Sequence, residues 1–178
     1  LFPGQPAWLA EGKAVHTGAA FTDSEAEEFA DDFADFGTLQ GAWIKGYGGE
    51  EKLGQLIDGS LEDYRDNYVA GYALYVYLRT WEEEGKKLFL PNLRGYMGGA
   101  GEAREPLAFF AKCFADGTDG RPKGMGEFAK GFDTFLSGFY WREPKPWAAR
   151  YKSSLEGGVG SGYVYDAPTW SSARVRAE

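Results

Sequence analysis

Helical periodicity is the feature that most narrows what this chain can become. Phe128, Phe132, Phe135, Leu136 and Phe139 recur at i, i+4, i+7, i+8 and i+11, which lines one side of a helix turning every 3.6 residues. Tyr64, Tyr68, Tyr72 and Tyr75 recur at i, i+4, i+8 and i+11, with Val69 and Val76 beside them. Alternation with a period of two is scarce before residue 150. The fold class read from this pattern is mainly α, a multi-helix lobe. Aromatic residues make up 17% of the 178-residue chain, enough large side chains to fill the interior of one domain.

Boundaries follow from punctuation. A first helix is expected over residues 6–20, with Pro6 in its first turn and Gly18 loosening its end. A second is expected over residues 24–36, where Glu27 stands three residues after Ser24 in capping-box position. Phe29, Phe33 and Phe36 form its apolar stripe, opposite a face rich in Glu and Asp that reads as solvated surface. Glycine-punctuated residues 37–59 read as short turns with one helical turn near residues 50–57. Ser60 and Asp63 then open the tyrosine-bearing helix. Pro91 should interrupt a short helix over residues 88–96, and residues 98–101 should form a glycine loop. A helix over residues 106–114 and a loop over residues 116–124 complete the core. The helical lobe is assigned to residues 1–142 and an irregular Pro/Gly-rich tail to residues 143–178. Within that tail residues 157–162 read as a linker, residues 163–165 as a short strand, and Trp170 as an anchor.

Bulk properties exclude several functions. The formal net charge of −8, without a concentrated basic face, argues against nucleic acid. No stretch approaches the ~20 apolar residues of a membrane span. The lone Cys113 rules out an intramolecular disulfide and a multi-cysteine zinc site, and its apolar surroundings read as those of a buried structural thiol. The compartment is left open.

One acidic residue stands out. In the run Ala7-Trp8-Leu9-Ala10-Glu11-Gly12-Lys13-Ala14-Val15, the helical neighbours of Glu11 are Ala7, Trp8, Ala14 and Val15. None of them can pair with a carboxylate, and ionised groups are seldom buried without a partner or a metal. An ion pair with a distant Lys or Arg, a metal-ligand role and a catalytic role all satisfy that requirement. His16 cannot join Glu11 as a ligand, because five residues place the two roughly 140° apart on a helix. It reads as a polar-face or capping histidine.

The stretch Pro6-Ala7-Trp8-Leu9-Ala10-Glu11-Gly12, with Ala14, resembles the third-ligand helix of gluzincin zinc metallopeptidases, the clan of the thermolysin and aminopeptidase N types and uncharacterised bacterial relatives. Tyr68-Val69-Ala70-Gly71 is similar to the Tyr-x-x-Gly helix of the aminopeptidase branch. The two motifs lie 57 residues apart, the separation that branch shows. The resemblance implies that Glu11 is a Zn2+ ligand and that Tyr68 is a catalytic residue supporting the oxyanion. Trp8, Gly12 and Gly71 would lie around the cleft, with a peptide or protein as substrate.

The chain departs from the family in holding one histidine, His16, and no His-Glu-x-x-His motif. A catalytic zinc needs three protein ligands and an open position for water. The chain is therefore read as the C-terminal part of a zinc peptidase domain, with its histidine helix on an upstream lobe of the same polypeptide. Alone it should bind no zinc tightly and hydrolyse nothing. The alternative is a non-catalytic helical binding or scaffold domain derived from the same fold.

Overall fold

A computed structural model describes residues 5–21, 33–61, 63, 65–140, 164–166 and 170–171. Among them are seven α-helices, α1 (Ala7–Phe21), α2 (Phe36–Ile44), α3 (Glu50–Asp58), α4 (Asp66–Thr80), α5 (Leu90–Gly99), α6 (Pro106–Phe114) and α7 (Met125–Tyr140). Five short strands accompany them: β1 (Phe33–Asp35), β2 (Trp81–Glu83), β3 (Lys86–Lys87), β4 (Val164–Asp166) and β5 (Trp170–Ser171). The molecule is mainly helical, as the periodicity predicts.

The core is organised around α4. Its stretch from Ala70 to Leu78 carries no charge, and every residue in it is buried. A helix apolar all round must be covered on every side, and α1, α2, α5 and α7 each pack against it. Tyr77 is the hub. Its ring lies 5.1–5.5 Å from the rings of Trp81, Phe89, Phe128, Phe132 and Phe135. Burial, and secondarily Glu83, push its phenol pKa upward. Phe128, Phe132, Phe135 and Leu136 are all fully buried, which is the role their spacing assigns. Phe110 and Phe114 carry the aromatic packing on to Tyr96 and Trp8.

Several boundaries differ from expectation. Phe33 to Asp35 form β1, antiparallel to β4, so the second helix does not reach residue 36. The rest of that segment, with Phe29, lies outside the described residues, as do the side chains of Phe33, Phe36 and Phe139. Residues 37–59 hold two helices: α3 bears out the helical turn expected near residues 50–57 and extends it, whereas α2 stands where turns were expected, because its Leu39 and Ala42 are buried. The tyrosine helix starts at Asp66, not at Ser60. Pro91 sits in the first turn of α5 and does not interrupt it, and that helix runs on to Gly99 before a 3-10 turn at Ala100–Glu102. The helix over residues 106–114 is found as predicted. Cys113 is only half-buried, and burial raises its thiol pKa.

The charged stretch after α4 forms a hairpin in which Glu82 faces Lys87 and Glu83 faces Lys86, opposite charges on facing strands. From the tail, β5 joins its edge in parallel, with Trp170 opposite Trp81. The expected strand near residues 163–165 is β4, within one residue. The linker assigned to residues 157–162 lies outside the described residues.

Candidate functional site

The two motifs meet where α1 crosses α4. On α1, Trp8, Gly12 and His16 recur at i, i+4 and i+8, and all three are buried. That face is turned to α4. A Cβ added to Gly12 would run into the carbonyl of Gly71, lying 2.6 Å from its carbon. A Cβ added to Gly71 would run into the carbonyl of Trp8, lying 3.0 Å from the Trp8 carbon. The two glycines thus bring the helices into backbone contact, a closeness that side chains would prevent.

Each predicted site residue can be placed against this crossing. Trp8 is buried, stacked on Tyr96 at 6.0 Å and edge-on to Phe110 at 6.1 Å. It fixes the start of α1 on α5 and α6. Gln5 assists, donating from Nε2 to the Met97 carbonyl at 3.2 Å. Glu11 is half-buried and immediately precedes Gly12. Tyr68 lies one helical turn before Gly71 and is 42% exposed, unlike Tyr72, Tyr75 and Tyr77, which are core. The expectation of one aromatic stripe therefore holds for Tyr72 and Tyr75 but not for Tyr68. The side chain of Tyr64 lies outside the described residues.

His16 is the residue the sequence reading misplaced. It is 7% exposed, edge-on to Tyr75 at 5.4 Å and tilted against Tyr72 at 6.5 Å. Its Nδ1 has no hydrogen-bond partner among the described residues. Burial, and then the nearby Arg79 cation, lower its pKa to about 4, so the ring is neutral at ordinary pH. Arg79 is held by donating from Nη1 to the Tyr75 hydroxyl at 3.1 Å. The overlooked signal is spacing, since four residues from Gly12 and eight from Trp8 put His16 on the packed face.

Chemically, the crossing presents one carboxylate and one phenol near a pair of touching backbones. Among the described residues no group of three or more His, Cys, Asp or Glu side chains converges on one point. Glu11 alone does not make a catalytic zinc site, which needs two further protein ligands. His16 does not add one, being wedged between tyrosines. Among the described residues no helix is long and apolar enough to cross a membrane. Comparisons with family models, curated proteins and solved structures returned no match.

Proposed function

We propose that this chain is the helical C-terminal portion of a gluzincin-type zinc peptidase. In this reading Glu11 supplies one carboxylate ligand and Tyr68 a hydroxyl directed at the oxyanion. The observation that carries it is the crossing itself. Two motifs 57 residues apart in sequence sit on helices joined by the Gly12–Gly71 contact. A zinc ion held by Glu11 and two histidines of another segment would polarise the scissile carbonyl and activate water. This chain's own residues do the rest. Trp8, locked on Tyr96 and Phe110, holds the turn that carries Glu11. Tyr68 is exposed enough to reach a bound peptide, and a phenol hydrogen bond to a developing oxyanion acts mainly in the transition state. The substrate class is a peptide or protein.

The second reading, a non-catalytic helical binding or scaffold domain of the same ancestry, is favoured by the single histidine in the sequence. One experiment separates the two: mass, N-terminal sequence and metal content of the native polypeptide. About one zinc per chain, falling sharply in Glu11→Ala, with peptide hydrolysis reduced roughly 10²–10³-fold in Tyr68→Phe, is the expected result. A metal-free native protein lacking a His-Glu-x-x-His segment would overturn the peptidase reading in favour of the binding domain.

A further inference from the structure

We infer that Gly12 and Gly71 are positioning residues whose backbone contact sets the separation between the Glu11 carboxylate and the Tyr68 hydroxyl. The inference rests on the peptidase reading for its functional meaning, but its geometry stands apart from it. Glu11 adjoins Gly12, and Tyr68 precedes Gly71 by one turn, so each candidate group is carried on the helix turn that touches the other helix. The contact is reciprocal. Gly12 meets the Gly71 carbonyl and Gly71 meets the Trp8 carbonyl, so neither backbone can slide along the other without a clash. One turn further along α1, His16 wedges against Tyr72 and Tyr75 and limits rotation of α1 about its axis. Trp8, bound to Tyr96 and Phe110, anchors the preceding turn.

A methyl group at either glycine removes this arrangement. Packed helices ordinarily lie 8–10 Å apart according to the side chains between them. Replacing a bare backbone contact with an alanine contact therefore moves the axes by about 1–2 Å, and the two candidate groups move with them. Gly131, on α7, makes a similarly close approach, but to the Tyr77 hydroxyl at 2.6 Å and away from the crossing.

The test reads distance, not catalysis. In the native polypeptide, with Cys113 and any other thiol replaced by serine, nitroxides are placed at Glu11→Cys and Tyr68→Cys. Their dipolar broadening is then measured. A narrow distribution is expected with both glycines present, lengthened by about 1–2 Å in Gly12→Ala or Gly71→Ala and unmoved in Gly131→Ala. An unchanged distribution in a folded Gly12→Ala or Gly71→Ala protein overturns the inference. If neither alanine variant folds, His16→Ala decides. Broadening about an unchanged mean supports the glycine contact, and a displaced mean overturns it, because the aromatic wedge would then set the distance. Zinc content of the parent protein reports separately on the peptidase reading, so a failure of either is recognised independently.

Discussion

His16 is a base held against two tyrosine rings, with one ring nitrogen that lacks a hydrogen bond among the described residues, and its titration should be visible in stability. In the unfolded chain an imidazole takes up a proton near pH 6.5, whereas here burial and Arg79 delay this to about pH 4. Above about 6.5 both states hold it neutral, and the contribution is fully present. As the pH falls through this window the unfolded chain binds the extra proton first, so stability is lost with falling pH. A shift of this size corresponds to about 3 kcal/mol, most of it spent by pH 4.5. Urea midpoints at pH 7.5 and 4.5 should therefore diverge by about 2–3 kcal/mol more in the parent than in His16→Phe, which keeps a ring but no titrating group. Equal losses in the two proteins would show that other groups govern acid sensitivity. The carboxylate of Asp116 is not among them in this pH range. The Arg121 guanidinium, donating at 3.0 and 3.1 Å, and Thr118 hold its pKa well below the usual range, so its effect belongs to lower pH.

Between elements, α4 also meets α7 in a close fit. The hydroxyl of Tyr77 lies 2.6 Å from where a Gly131 Cβ would stand, while the ring carbon bearing it is 3.8 Å away. Only the oxygen conflicts. Gly131→Ala should then destabilise by about 1–3 kcal/mol, with much of this recovered in the Tyr77→Phe background. Denaturant titration of the four proteins gives the coupling energy, and strict additivity would exclude the contact as the cause. Element identity was legible wherever an apolar stripe ran uninterrupted, as in α6 and α7. It failed where local rules met tertiary burial. Gly37 and Gly41 each cost a helix about 1 kcal/mol relative to alanine, yet burial of Leu39 and Ala42 against α4 and α7 outweighs that. The capping box at Ser60 goes unused because its acid is engaged elsewhere. Asp63 Oδ1 accepts from the Arg65 backbone N–H at 2.9 Å and from its Nε at 3.2 Å. Asp58 Oδ1 takes the Ser60 N–H at 2.9 Å. Such side chain to backbone bonds compete with helix formation, and α4 begins only at Asp66.

At the scale of the whole molecule, the candidate site was legible as two motifs but not as a contact. Nothing local says that Gly12 meets Gly71, since that pairing depends on α1 and α4 choosing each other, with 58 residues between the two glycines. For the same reason β-pairing was largely hidden. A strand three residues long carries little periodicity, and β1 and β2 take partners from the tail. These pairings make a prediction about how the tail contributes. Truncation after residue 142 removes β4 and β5 and leaves β1 and the open edge of β2 without those partners. The buried helices should keep their packing, because among the described residues the main cover of α4 comes from α1, α2, α5 and α7. A net hydrogen bond contributes about 0.5–1.5 kcal/mol, so the few lost here should total roughly 1–2 kcal/mol. For a chain of this size that lowers Tm by about 2–8 °C. Hydrogen exchange locates the loss. Amides of β1 and β2 should lose protection while those from Ala70 to Leu78 keep it, and the unpaired edges should raise the tendency to associate. If protection in α4 fell together with that of the strands, the tail would be part of the same cooperative unit as the helical core, and a boundary near residue 142 would have no physical meaning.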